Sequence, residues 1–435
     1  MIDHQFRYLS SIGVDFPGMG LMNFLSFRAM LAAVTAVLVS LTAGRRIIGM
    51  LQRLQIGETV RDLGLEGQIQ KKGTPTMGGI IIIVSILSGV LLFCDLTSIY
   101  VILLLVSTLW CGALGFTDDY IKVFRGRKEG MSEKGKLVGQ VLLGLVIGLT
   151  VWMSPDIVVR EKVPVETSTE HSLESVNGVT SGRYIHEDVV KSTKTTIPFV
   201  KSHEFDYRWL SPFKGKWGWY TKWGIYVLMI VLVITACSNG TNLTDGLDGL
   251  AAGTSAIVGV VLGVMAWLGG NLIDSDFLNI MYIPGSGEIA IFLSAFVGAL
   301  VGFLWYNSFP AQVFMGDTGS LTIGGIIGVS AVLIRKELLI PLLCGVFFAE
   351  SLSVIIQRLW FKHTRKRTGT GHRIWSMTPL HHHYQDKKAP DGPVLFPKPV
   401  PPQHEAKITV RFWIVGVILA VSTLALLKIR EICPE

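Results

Sequence analysis

Apolar runs of near-spanning length recur along the chain, separated by polar stretches rich in Gly, Asp, Lys and His. A helix needs about 20 mostly apolar residues to cross a bilayer core. About ten segments approach that length: 21–43, 77–94, 98–117, 136–153, 221–237, 249–268, 288–306, 321–334, 337–361 and 411–429. They predict an all-α, polytopic membrane protein with about ten transmembrane helices. Residues 1–435 are read as one integral membrane domain, whose first span is retained: Asp3 and Asp15 stand against Arg7, and neither a basic leader nor a small-residue cleavage site is present.

Two polar stretches interrupt the rhythm. Residues 154–220 are rich in Ser, Thr and charge and end in an aromatic patch at Trp217, Trp219 and Trp223, which predicts a solvated insertion with an interfacial anchor. Residues 390–402 hold six prolines and read as an extended stretch before the last span.

Basic residues give the orientation. Arg45, Arg46, Arg53, Arg61, Lys71 and Lys72 fill 44–76, and Lys122, Arg125, Arg127, Lys128 and Lys134 fill 118–135, whereas 269–287 has no Lys or Arg. The positive-inside rule places the first two loops in the cytoplasm, so both termini and the 154–220 insertion fall on the outer, periplasmic face. Long loops translocate largely regardless of charge, so the basic residues of the insertion do not oppose this.

Composition agrees and narrows the partners. Half of the chain is hydrophobic and 16% is charged, too apolar for an ordinary soluble globule. The net charge of +7 is divided among loops between spans, which suits anionic headgroups or a phosphorylated substrate and argues against nucleic acid. Cys94, Cys111, Cys237 and Cys344 fall in or beside spans and Cys433 is terminal, so neither a disulfide framework nor metal spacing is present.

In this topology five polar clusters share the cytoplasmic face. Asp118 and Asp119 end the third span, where carboxylates suit Mg²⁺ ligation or proton abstraction. Neighbours on a helix point about 100° apart, so the two are not expected to share one job. Lys122 lies one turn beyond Asp118, where it could pair with a carboxylate or meet a phosphate. The second cluster, Asn239 to Gly249, sits between spans five and six; if it is helical, Asn242, Asp245 and Asp248 share a face. It lacks the final Glu of a calcium loop. The third, Phe314 to Ser320, sets Asp317 at a helix N-terminus, as a cap or as a holder of a divalent cation. The fourth, Lys71 to Gly79, offers ammonium groups and free N–H donors at the start of span two, without the ending of a Walker A loop. The fifth holds His381, His382 and His383 beside Arg365, Lys366, Arg367 and Arg373; three consecutive histidines cannot all face one metal, so phosphate contact or proton handling is expected. Within span nine, Glu350 and Gln357 lie two turns apart, and a carboxyl at that depth should face the bundle interior.

Lys71-Lys-Gly-Thr-Pro-Thr76-Met-Gly-Gly, Asp118-Asp119-Tyr, Asn242-Leu-Thr-Asp245-Gly-Leu-Asp248-Gly, Phe314-Met-Gly-Asp317-Thr-Gly-Ser and Pro379-Leu-His-His-His-Tyr, in this order, resemble the bacterial phospho-MurNAc-pentapeptide transferases of the polyprenyl-phosphate phosphosugar-1-phosphate transferase superfamily. The resemblance covers nearly the whole chain and implies a ten-helix fold with the N-terminus outside. Residues 154–220 are longer than expected of the family, and Gln68 stands where a His is expected. It implies transfer of phospho-MurNAc-pentapeptide from UDP-MurNAc-pentapeptide to undecaprenyl phosphate, giving lipid I and UMP with Mg²⁺ required, at the cytoplasmic face of the bacterial inner membrane. By similarity Asp317 would be the Mg²⁺ ligand, and Asp118 and Asp119 essential carboxylates near the reacting phosphates. Asn242, Asp245, Asp248, Phe314 and Gln357 would line the uridine pocket, with Lys71, Thr76, Lys122 and Lys134 nearby, and His381, His382 and His383 would complete the site. The partners expected are both substrates, membrane lipid and a second copy of the chain. The competing readings are a transferase moving GlcNAc-1-phosphate to a polyprenyl phosphate and, from another class, an ion-coupled transporter, for which only Glu350 is suitably deep.

Overall fold

The computed structural model describes residues 19–54, 73–127, 129–164, 184–197, 204–278, 280–385, 394–397, 399 and 401–427. The helices are α1 Leu25–Arg53, α2 Gly79–Phe93, α3 Ile99–Phe124, α4 Glu133–Met153, α5 Gly215–Thr244, α6 Leu250–Gly269, α7 Leu272–Phe277, α8 Gly287–Asn307, α9 Gly316–Leu333, α10 Ile340–Leu343, α11 Gly345–Thr368, α12 Leu380–Gln385 and α13 Glu405–Leu426. Eight of these are long and apolar enough to cross a membrane: α1, α3, α4, α5, α6, α8, α9 and α13. The predicted second span is α2, only 15 residues long. The predicted ninth span is not one straight helix. It is broken at Cys344 between Glu337–Leu343 and α11, with a bend of 78°. Pro341 in the first turn of α10 and Gly345 directly after the break fit a stop and restart.

Helix α9 is the axle of the bundle. Its apolar window is 94% buried, against 28% for α1 and for α13, and it packs on α2, α3 and α5. Small residues allow this depth, because a Cβ on Gly79 would lie 2.1 Å from the Gly319 nitrogen and one on Gly115 would lie 2.2 Å from the Asp317 carbonyl oxygen. Within a bilayer, such close backbone approach replaces the hydrophobic drive available in water. Helices α1, α6 and α8 form a second group, and α13 leans on α6.

The strands are short. β1 (Val159–Pro164) pairs antiparallel with β2 (Tyr184–Val190), and β3 (Lys194–Thr196) with β4 (Glu204–Asp206). β5 (Arg373–Trp375) pairs parallel with β6 (Val394–Phe396). The first two pairs lie in the insertion that the sequence presents as solvated, and β3 corrects that expectation. Thr195 and Thr196 are buried, and both bond the carbonyl oxygen of Arg335, in the turn after α9, through the Thr195 hydroxyl (3.0 Å) and the Thr196 N–H (3.1 Å). Lys336 donates to the Thr196 hydroxyl, and Arg335 lies 4.9 Å over the ring of Tyr226. Burial pushes the Lys336 ammonium down to about 8, against the pull of Glu337 and Glu204. Polar residues alternating with Thr in a loop gave no sign of this docking, since its partner turn lies 140 residues away.

The aromatic patch is helical, on the first turns of α5: Trp217 and Trp219 are exposed, while Trp223 is buried and stacks on Trp152. At the same end, Arg28 pairs with Glu288 at 2.8 Å, and Glu288 also accepts the Asp95 N–H at 2.8 Å. The four described cysteines are buried and free.

Candidate active site

At the other end of the bundle the axle begins. Gly316 opens α9 at φ +71°, and a Cβ there would lie 2.6 Å from Asp119 Oδ2, so only glycine suits this entry. The first turn of a helix leaves N–H groups unpaired. Asp119 takes them up: Oδ1 accepts from the Asp317 N–H (3.1 Å), and Oδ2 from the Thr318 N–H (2.9 Å) and hydroxyl (2.6 Å). One carboxylate of the pair on α3 thus fastens the N-terminus of α9.

Its neighbour does something else. Asp118 is fully buried, pairs with Lys122 one turn on (2.6 Å) and with Lys136 of α4 (2.9 Å), and accepts the Met131 N–H at 2.6 Å. Both lysines also reach Asp317, Lys122 at 3.2 Å and Lys136 in a shorter contact. Asn242, from the last turn of α5, donates to Asp317 at 3.0 Å and to the Ser320 hydroxyl at 2.9 Å. Two carboxylates, two ammonium groups and an amide from α3, α4, α5 and α9 therefore converge. Asp118, Asp119 and Asp317 each bring an oxygen within 4.8 Å of the others, a hard-oxygen set that could hold a divalent ion. Asp119 carries the helix cap at the same time, while Asp118 and Asp317 face the two lysines.

Helix α3 continues to Phe124, past the predicted span end, and carries Asp118, Asp119 and Lys122 as a helical face. Lys134 is exposed on the first turn of α4, and Lys136, two positions on, occupies the cluster in its place. Gln140, one turn further, exchanges hydrogen bonds with Asn239. The signal available for Lys136 was its four-residue spacing from Gln140 on a helix whose start at Ser132 is marked by a side-chain cap.

The second cluster is not one helical face. Helix α5 stops at Thr244, Asp245 adopts a non-helical ψ of 54°, and Gly249 is left-handed at φ +74°, so Asn242, Asp245 and Asp248 diverge. Asn242 joins the acids, whereas Asp248 turns inward and accepts the Ala311 N–H at 3.0 Å. The last span holds this turn: Glu405 accepts the Asp248 N–H (2.8 Å), Thr409 donates to the Asp248 carbonyl (3.1 Å), and the Trp413 indole donates to the Gly249 carbonyl (3.3 Å). These three residues form a stripe four apart on α13 that the sequence reading passed over.

Around the cluster, Thr76 is buried near Gly316, and the strand-like pairing of 75–79 with 314–315 (Phe314 N to Pro75 O, Gly78 N to Phe314 O) fixes the half-buried Phe314. Gln357 binds main chain, accepting from Ile374 (2.9 Å) and Trp375 (3.2 Å) and donating to the Trp375 carbonyl (3.0 Å). His381 is buried against Glu350, the His382 ring lies tilted beside it with centroids 4.2 Å apart, and His383 accepts the Ser376 N–H. Lys71 and Gln68 lie outside the described residues.

Buried carboxylates crossed by lysines, at the end of an apolar helical bundle, define a membrane-embedded group-transfer enzyme. In agreement, residues 189–335 match the model of glycosyl transferase family 4, and residues 71–83 match signature 1 of the phospho-N-acetylmuramoyl-pentapeptide-transferases. Proteins named phospho-N-acetylmuramoyl-pentapeptide-transferase from Parabacteroides distasonis, Flavobacterium psychrophilum and Porphyromonas gingivalis are 55%, 51% and 51% identical, each over 99% of this chain and the whole of the relative. The chain belongs to the phospho-N-acetylmuramoyl-pentapeptide-transferase family. Because these alignments run over about 430 residues, the long insertion is shared with those relatives.

Proposed function

We propose that the chain transfers phospho-MurNAc-pentapeptide from UDP-MurNAc-pentapeptide to undecaprenyl phosphate, forming lipid I and UMP for peptidoglycan synthesis. The observation that carries the reading is the bridging of Asp118 and Asp317 by Lys122 and Lys136. Such a set answers the needs of phosphoryl transfer, which is mainly positioning and charge neutralisation. The lysines' flexible stems let their ammonium groups turn from the carboxylates to the donor diphosphate. Asn242 and Asp119 keep Asp317 in place through its side chain and its N–H.

Mg²⁺ would fit this oxygen donor set, with Asp317 as its holder, and would supply charge neutralisation at the diphosphate. Asp118 accepts a proton from the acceptor phosphate, whose oxygen attacks the β-phosphorus in line while UMP departs. Asp245 and Phe314 meet the nucleoside, and the buried Asp248 and half-buried Gln357 shape that end of the site through main chain. The site faces the cytoplasm of a bacterial inner membrane, a reading supported by the basic residues at 118–135 on the site's own end of the bundle and by their absence at 269–287.

A UMP-release assay with both substrates, with and without Mg²⁺, tests this. Wild-type release that stops without Mg²⁺ and falls at least a hundredfold in Asp317→Ala is expected; equal activity in the variant removes the metal assignment. UMP release with a trapped adduct in the absence of lipid would replace single displacement by a covalent route.

A further inference from the structure

Glu350 lies in α11, just past the bend, with no exposed surface. A carboxylate at such a position is costly unless it is held. Both of its oxygens go to one residue: Oε1 accepts the His381 main-chain N–H at 3.2 Å, and Oε2 lies 3.3 Å from His381 Nδ1. The histidine is itself 1% exposed. A carboxylate beside Nδ1 orients the ring and leaves Nε2 on its far side. That second nitrogen faces the turn between α5 and α6. A Cβ on Gly246 would lie 2.2 Å from it, so the ring sits flush against a residue that has to be glycine.

We propose that Glu350 is a positioning residue of the transferase, acting through His381 to set the Asp245–Asp248 turn for the nucleoside end of the donor. The proposal rests on the reading that this turn meets the nucleoside. Glu350 and His381 are 31 residues apart, and the imidazole carries the carboxylate's influence from the broken span to the turn. On the other side the same turn is held by Glu405, Thr409 and Trp413, so loss of the histidine support tilts the turn rather than unfolding it.

A double-mutant cycle in full-length enzyme tests this, with KM measured separately for donor and acceptor. Glu350→Gln and His381→Asn are each expected to raise donor KM about tenfold, by a larger factor than any fall in kcat, with acceptor KM unchanged. The double variant is expected to be no worse than the weaker single one, and Glu350→Asp to recover part of the loss. Additive losses, or a fall in kcat at unchanged donor KM, overturn the proposal. Should Glu350→Gln fail to fold, Gly246→Ala displaces the ring from the turn side with the carboxylate intact, and a wild-type donor KM there is equally fatal. Asp245→Asn is the control for the underlying reading: unchanged donor KM in that variant removes the nucleoside assignment, while the cycle still reports whether Glu350 acts through His381.

Discussion

Asp119 accepts the main-chain N–H of Asp317 at 3.1 Å, so one acid of the site holds another in position without touching its carboxylate. Adjacent aspartates on one helix are thereby divided between a structural task and an electrostatic one.

That division sets the first expectation. Asp118→Asn removes the charge that pairs with Lys122 and Lys136 and should lower kcat about 10²–10³-fold with little change in thermal midpoint. Asp119→Asn keeps one acceptor oxygen but loses the charged cap, and should cost about 0.5–2 kcal/mol of stability with a smaller fall in kcat. Thermal unfolding in detergent beside steady-state rates separates the two; equal profiles would contradict the division.

Lys136 and Lys134 differ in the same way. Lys136 reaches both reacting-site carboxylates, and Lys136→Ala should lose about 10²-fold in kcat/KM. Lys134 is exposed, and its substitution by Ala should stay within about threefold. The reverse ranking would mean that the ammonium at 136 serves only to neutralise the acids.

The close crossing of α2 and α9 predicts a purely structural defect. Gly319→Ala adds a methyl 2.2 Å from Met315 Cγ and 2.9 Å from Gly79 Cα, which should cost about 1–3 kcal/mol. Met315 can shift and Gly79 main chain cannot, so a Gly79→Ala variant, facing the Gly319 nitrogen at 2.1 Å, should be the worse of the two by thermal midpoint.

At the far end, Lys336 gives a pH signature. Its folded value near 8 lies below the ordinary value of 10.5, so as pH falls from 10.5 towards 8 the unfolded chain takes up a proton that the folded one refuses. Stability should therefore rise with pH from 8 to about 9.5, by at most about 1.4 kcal/mol per unit. Tyr207 opposes the trend above that, because burial raises its folded value and the unfolded phenol ionises near 10. Lys336→Met should flatten the slope in a pH series of thermal midpoints.

Much of this was legible in the chain. The apolar runs mark the helices, and the angle of about 100° between helical neighbours separates Asp118 from Asp119. The glycines around Asp317 mark the helix start that it occupies. What the pattern hid depends on long-range contact: the bend at Cys344 interrupts an unbroken apolar run, β3 docks through threonines that look solvated, and Lys136 displaces its exposed neighbour because of where α4 meets α9. The turn after Asn242 misled because helical spacing was carried past Thr244, where the helix stops.

The stripe of Glu405, Thr409 and Trp413 gives the enzyme an order of completion. Asp248 and Glu405 are 157 residues apart, and a ribosome makes the aspartates, the lysines and the turn long before it makes α13. A membrane-inserted nascent chain would therefore hold every acid of the site with the turn still unset, and would stay silent towards its sugar nucleotide until the last helix had entered the bilayer.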